Sequence, residues 1–417
     1  MSELIDIKKE DRKPLAVLCG VDTGAFDMER SMDELENLAE TAGAEVLAHF
    51  VQKMSSFEAA TLFGSGKLRE LAKLCKNNEV EMVIFNHELT ASQIRNIEEA
   101  TQVTVIDRTA LILDIFAQRA RSAEGRLQVE LAQLKYRLPR LLGMGRVLSR
   151  QGGGIGSRGP GEAKLETDKR YIRQRIEKLE VQLKELTKRR EYSHKRRKKD
   201  GVTVVAIVGY TNVGKSTLLN SLTQAGVLAE NMLFATLDPT ARALELPDGR
   251  EVMLVDTVGL VSRLPHNLVE AFKSTLEEAV NADLILNVCD ISSDEAREQV
   301  DITKNLINEL GGGRIPMLTV ANKCDMLGDE TIVMGEKTVF ISAKTGYGFD
   351  KLLKAICEEL KTTARRLRIL VPYTDAGVLS TVRQNGKVFS EEYHEDGILA
   401  DVLVDVKDFD RVQNYTE

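Results

Sequence analysis

GYTNVGKS, residues 209–216, follows without a break on the apolar run Val202–Val208 and leads into Thr217–Leu222, a stretch fit to continue as a helix. A strand, a loop bounded by Gly209 and Gly214, and a helix opening on Lys215 and Ser216 make up a phosphate-binding loop. In such a loop the backbone of Tyr210, Thr211, Asn212 and Val213 wraps a β-phosphate against the N-terminus of the helix that Thr217 continues. Lys215 reaches the β- and γ-oxygens, and Ser216 ligates Mg²⁺.

Three further motifs follow in chain order. The strand Glu251–Val255 ends in Asp256-Thr257-Val258-Gly259, where Asp256 can hold Mg²⁺ through a water and the Gly259 amide can sense a γ-phosphate. The strand Ile315–Ala321 ends in Asn322-Lys323-Cys324-Asp325. Asp325 can accept from guanine N1–H and the exocyclic amine, a donor pair that adenine lacks, while Lys323 lies along the base and Asn322 ties this loop to the phosphate loop. The strand Thr338–Ile341 leads to Ser342-Ala343-Lys344, with the Ala343 amide placed for guanine O6. Any one motif could arise by chance; four in order point to a GTP-hydrolysing domain over residues 201–362, with GTP and GDP as substrate and product.

Outward from this domain, the N-terminal apolar runs Leu15–Cys19, Val46–Val51, Val80–Phe85 and Val103–Ile106 alternate with helical stretches, as in a parallel α/β domain over residues 1–110. Ser31 with Glu34 and Thr90 with Gln93 read as capping boxes. Leu127, Leu131, Leu134 and Leu138 then repeat along one helix face until Pro139 and Gly143, which read as its end. Ile172, Ile176, Leu179, Leu183 and Leu186 repeat likewise, so residues 111–200 read as a helical hairpin arm. Between the helices lies QGGGIGSRGPGEAKLETD, a glycine-rich loop flanked by Arg146, Arg150 and Arg158 that suits either an RNA backbone or a flexible linker. Residues 363–417 offer an extended run at Arg368–Pro372, a helix at Ala376–Val382, an Asn385-Gly386 turn and alternation from Ile398 to Val406, a small α+β unit. The fold class is therefore α/β and multidomain, as a length of 417 residues also suggests.

Charge is distributed unevenly. The chain carries a net −7, yet residues 139–200 hold 19 Lys and Arg against 8 Asp and Glu, so the arm is the basic part. No run approaches the roughly 18 apolar residues of a membrane span. The first residues, MSELIDIKKEDRK, have no apolar core, which points to the cytoplasm. Five scattered cysteines form no CxxC pair, and five histidines show no metal-ligand spacing. GSGK at Gly64–Lys67 fails as a second phosphate loop because Thr61 leads it and Leu68 follows the lysine, so it reads as a helix start.

The chain resembles the HflX family of ribosome-associated GTPases, in the translation-factor-related class. The resemblance is carried by GIGSRGPGEAKLETD (154–168), LFATLDPTAR (233–242) and DTVGLVSRLPHNLVEAFKSTLEE (256–278), with support from LAETAGAEV (38–46) and VIDRTALILDIFAQRA (105–120). Ala163-Lys164 departs from the family's more usual Thr-Gln. The resemblance implies a factor that binds the large ribosomal subunit and its RNA and, with GTP bound, separates or rescues stalled ribosomes; a monomer is expected. It favours Thr236 over Thr240 as the first-switch Mg²⁺ ligand, which makes Lys215, Thr236 and Gly259 the catalytic groups and Ser216, Thr236 and Asp256 the metal set. Asn212 stands where similar GTPases help bind an activating K⁺; an asparagine tolerating a tight loop is the competing account. His266 would pack the second switch. Leu260, directly after DTVG, replaces the glutamine that many GTPases use to orient water. The rival readings are a GTP-regulated binding module for another RNA or protein, and a metabolic enzyme, for which no second catalytic constellation exists.

Overall fold

The structure is a computed structural model that describes residues 12–151, 160–199, 202–223, 234, 240–261, 276, 278–327, 335, 337–360, 364–405 and 408–416. They form two compact units, one holding the chain up to Leu186 together with Phe234, the other holding the remainder from Thr187.

In the first unit, β1 (Leu15–Asp22), β2 (Glu45–Lys53), β3 (Met82–Phe85) and β4 (Thr104–Asp107) make a parallel sheet in the order β2-β1-β3-β4. Parallel strands need crossover helices, supplied here by α1 (Met28–Thr41), α2 (Ser65–Asn77) and α3 (Ala91–Thr101). Val17, Cys19, Val83 and Phe85 project from the strands into one core with Phe63, Leu71 and Ile97. Next come α4 (Arg108–Arg119) and the arm helices α5 (Ala123–Gln151) and α6 (Pro160–Lys199). Leu131 and Leu179 are the buried centres of the two expected seams, and the arm is clamped by Arg175 on Glu130 (2.6 and 2.7 Å) and Lys135 on Glu180 (2.8 Å).

In the second unit, β5 (Thr203–Gly209), α7 (Lys215–Thr223), β6 (Thr240–Glu245), β7 (Glu251–Asp256), β8 (Leu284–Asp290), α8 (Ala296–Glu309), β9 (Met317–Asn322), β10 (Thr338–Phe340) and α9 (Phe349–Glu359) build a six-stranded sheet with its helices. The strand order is β10-β9-β8-β5-β7-β6, parallel except for β6 against β7. β5 is buried from Val204 to Tyr210, as a central strand covered on both faces must be. Beyond it, β11 (Ala364–Val371), α10 (Gly377–Asn385), β12 (Lys387–His394) and β13 (Gly397–Asp405) form a three-stranded antiparallel sheet whose inner residues Ile398, Ala400, Val402 and Val404 meet Leu379 and Val382 of the helix.

Three local expectations are corrected. Ser31 and Glu34 do not cap α1: Asp27 does, bonding the Arg30 amide, while Ser31 accepts from Asn86 (2.8 Å) and Glu34 takes the Arg108 guanidinium (2.7 Å). The Thr90–Gln93 capping box does form. Pro139 does not end α5, which runs on to Gln151. A proline inside a helix costs about 3 kcal/mol, but its flanks are pinned, with Tyr136 donating to Asp107 (2.6 Å) and Arg140 bonding Asp107 (2.8 Å) and the Leu89 carbonyl (2.9 Å). Asn385-Gly386 closes α10 instead of turning a hairpin; the β12–β13 turn lies at Glu395-Asp396.

Asp107 is fully buried at the end of β4 and also caps α4 through the Ala110 amide (2.9 Å) and accepts from the Leu89 amide (3.1 Å). Asp107→Ala is expected to cost the first unit roughly 3–5 kcal/mol, because it strands a guanidinium, a phenol and two amides at once; denaturant unfolding measures it, and a loss under 1 kcal/mol would contradict this account.

Candidate nucleotide site

The phosphate loop is shaped by positions that only glycine fits. Gly209 (φ +145°) lies against the Val288 carbonyl oxygen and Gly214 (φ +93°) against the Asn322 amide, so a side chain at either would collide with a packed neighbour. Asn212 takes the left-handed conformation, φ +61°. Lys215 opens α7, is buried, and donates to the Tyr210 carbonyl (2.6 Å). Burial lowers its pKa to about 8, opposed by the nearby charge of Asp256. Ser216 Oγ donates to Asp256 Oδ2 (2.7 Å), so the hydroxyl and carboxylate expected to share Mg²⁺ face each other; this donor set of hard oxygens fits that ion.

The segment after β7 is zipped to the phosphate loop. Thr257 bonds the Ile207 carbonyl through both its hydroxyl (2.8 Å) and its amide (3.2 Å), Leu260 N–H reaches Gly209 O (3.1 Å) and Thr211 N–H reaches Leu260 O (2.7 Å). Val258 is buried beside it. Gly259 passes so near Thr211 and the Lys215 ammonium that a Cβ there would lie 2.7 and 3.0 Å from them. The Leu260 side chain is 6% exposed, set in the domain core with Tyr210 and Val213.

On the base side, Asn322 donates to Val213 O (2.8 Å) and accepts from the Ala343 amide (2.8 Å). The Ala343 amide, expected to be placed for guanine O6, is here bonded by Asn322, whose buried amide side chain is thereby satisfied at both ends. Lys323, at φ +64°, pairs with Asp290 (2.6 Å). Asp325 is exposed, and the Ser342 hydroxyl, with Lys344 and Lys323 adding to it, holds its carboxyl below the usual range, leaving an ionised acceptor. Ser342 is buried at the base of the loop, Lys344 is exposed, and Thr217 is half-buried in the first turn of α7.

Thr236, His266, Arg158 and Gly152 lie outside the described residues. Thr240 begins β6 opposite Asp256, and Phe234 packs in the first unit on Phe116, ring centroids 4.5 Å apart. GSGK is the start of α2, where Lys67 pairs with Glu70 (3.2 Å) and lies over the Phe50 ring (4.2 Å). His49 approaches Asp33 and Glu36 at the exposed edge of the first sheet, a grouping that sequence spacing did not show. Two contributors also escaped the sequence reading: Asp290, and Ser221, whose hydroxyl donates to the Ala343 carbonyl (2.7 Å). The strand LILNVCD ends at Asp290 beside Asn322, so extending the search for strand-end polar residues to β8 would have found the first.

Residues 29–117 match a family model described as GTP-binding GTPase N-terminal, residues 119–197 one for the GTP-binding GTPase middle region, and residues 204–323 one for a 50S ribosome-binding GTPase. A GTPase HflX from Caldanaerobacter subterraneus subsp. tengcongensis is 50% identical over 97% of this chain and 94% of its own. That of Escherichia coli is 42% identical over 89% of this chain and 88% of its own. A solved structure described as the SsGBP–GDP complex aligns with a TM-score of 0.49 at 26% identity, covering 83% of this chain and 98% of that one.

Two outcomes test the site. A bound phosphate favours the protonated Lys215, so nucleotide affinity is expected to hold below pH 8 and to fall as pH rises from about 8 toward the ordinary lysine value of 10.5, with proton uptake on binding. Calorimetry in buffers of different ionisation enthalpy reads that uptake, and none at pH 9 would contradict the burial argument. Asp325→Asn is expected to weaken GTP binding and favour xanthosine triphosphate, whose position-2 carbonyl complements an amide donor; unchanged GTP affinity would remove Asp325 from the base site.

Proposed function

This chain belongs to the HflX family of GTPases, and from that premise we propose that it is a cytoplasmic, monomeric factor that binds the large ribosomal subunit and, with GTP bound, splits or rescues stalled ribosomes. As a member of the family it binds GTP and hydrolyses it to GDP and phosphate. In this proposal Ser216, Asp256 (through a water) and Thr236 hold Mg²⁺, which supplies charge neutralisation at the phosphates. Lys215 and the Gly259 amide then meet the γ-phosphate, and Asn212 provides for K⁺.

The observation that carries the ribosomal reading is the burial of Leu260. A leucine has no group to orient an attacking water, and here its side chain is committed to the core, so the isolated chain is expected to be slow. Phosphoryl transfer is catalysed largely by positioning and charge, so a partner that orders the switch segments can restore a large factor. The basic arm supplies a surface suited to an RNA backbone, with Tyr171 and Tyr192 exposed on α6 among lysines and arginines.

Single-turnover hydrolysis with and without large subunits tests this. Stimulation on the order of tenfold or more is expected, by analogy with partner-activated GTPases, and it should be lost on Thr236→Ala. Equal rates, together with no co-sedimentation in either nucleotide state, would favour a binding module for a different RNA or protein.

A further inference from the structure

β6 and β7 connect the two switch segments: β6 begins at Thr240, inside the 233–242 stretch of the first, and β7 ends at Asp256, where the second opens. The turn between them is held from two sides. Arg250, 4% exposed, pairs with Asp248 (2.6 Å) and donates to the carbonyls of Cys357 and Leu360 (2.9 Å each) at the C-terminal end of α9. Those are carbonyls a helix cannot satisfy by itself, at the end of its dipole that favours a cation. From the small C-terminal sheet, Arg366 donates to the Asp248 carbonyl (3.2 Å), pairs with Asp401 (2.7 Å) and lies over the Phe389 ring (4.3 Å). The Phe389 ring in turn packs on Gly249, φ +81°, leaving no room for a side chain there.

The turn is far from the nucleotide, since β7 spans six residues and each adds about 3.3 Å. An extended, laddered strand is stiff along its axis, so anchoring the turn fixes how far along that axis Thr240 and Asp256 stand. Their register matters: Thr240 pairs with Asp256, and Asp256 receives the Ser216 hydroxyl at 2.7 Å.

We propose that Arg250 is a positioning residue for GTP hydrolysis and nucleotide retention, and that through it and the Arg366–Phe389 contact the C-terminal sheet sets the placement of Asp256 against Ser216. The inference rests on Ser216 and Asp256 as the Mg²⁺ site and is independent of the ribosomal partner. A lysine at position 250 keeps the charge but lacks the planar fork that reaches a carboxylate and two carbonyls together. Arg366 and Phe389 lie at the surface end of the clamp, so their variants probe the same coupling with less risk to folding.

The test uses the full chain loaded with fluorescent GDP, whose release is timed in saturating Mg²⁺ and in EDTA for wild type, Arg250→Lys, Arg366→Ala and Phe389→Ala, with melting temperature measured alongside. Each variant is expected to release GDP at least about threefold faster in Mg²⁺, in the range of a modest coupling, while its EDTA rate stays at the wild-type value. A lower melting temperature with an unchanged ratio of the two rates would reduce the clamp to a structural role and overturn the inference. Wild-type release that ignores Mg²⁺ would overturn the Ser216–Asp256 assignment and this inference with it; wild-type sensitivity retained in all three variants overturns the inference alone. If Arg250→Lys fails to fold, the two surface variants decide.

Discussion

The Asn322 side chain is the tie on which the nucleotide site depends. It sits at the end of β9 with 2% of its surface exposed, gives its N–H to the phosphate loop at Val213 and takes the Ala343 amide of the base-side loop. A buried amide left half-bonded costs on the order of 1–3 kcal/mol, so the two loops are held at one separation or the side chain is not tolerated there. The same constraint reaches into the sequence: Gly214 is glycine because the Asn322 nitrogen occupies the space of its Cβ.

The tie works because the parallel sheet delivers every loop to one edge. In the order β10-β9-β8-β5-β7-β6, the five parallel strands finish at or just before Ser342, Asn322, Asp290, Gly209 and Asp256, so each polar residue at a strand end faces the same crevice. Ligands in open α/β sheets bind outside these carboxyl ends, where the crossovers change direction. The change falls at β5, flanked by β7 and β8, and the phosphate loop grows from that strand. The buried ladder behind it is nearly all Val, Leu and Ile, which carries stability without competing for the polar edge.

What could be read from the sequence follows from how local each determinant is. Eight of the nine parallel strands of the two larger sheets are legible as apolar runs, and the four motifs are short segments whose chemistry is complete in itself; β8 carries no motif at its end and goes unread. Ser31 reads as a cap because the local pattern fits one. It serves Asn86 instead, 55 positions away, and Glu34 serves Arg108, 74 away. Pro139 looked like a terminus because its cost is local, whereas the Asp107 contacts that outweigh it come from β4. Arg250 gave no signal at all: an arginine after Asp-Gly reads as the solvated end of a hairpin, and only the fold places the end of α9 against it. The bond from the Ala343 amide to Asn322 is likewise invisible to motif reading, because it joins two motifs that lie 21 positions apart.

These contacts also limit where a switch can move. Leu260 is bonded by its backbone to Gly209 and Thr211, its side chain lies in the core, and Thr257 is bonded to Ile207, so the chain from Asp256 to Leu260 is tied to β5 and the phosphate loop near both its ends. Thr240 is fixed on the other flank by pairing with Asp256. A rearrangement driven by the γ-phosphate that displaced Thr240 and Asp256 would carry β6, β7 and their turn as one body. It would have to break Arg250 from two helix-terminal carbonyls and Phe389 from Gly249, contacts that lie at the turn, outside the nucleotide site. Hydrogen bonds to a charged group are worth roughly 1.5–3 kcal/mol each, more than a ligand can overcome unless it binds the two arrangements with very different affinity. The β6–β7 hairpin is thus held beside the nucleotide site as a frame whose turn is anchored by contacts outside that site.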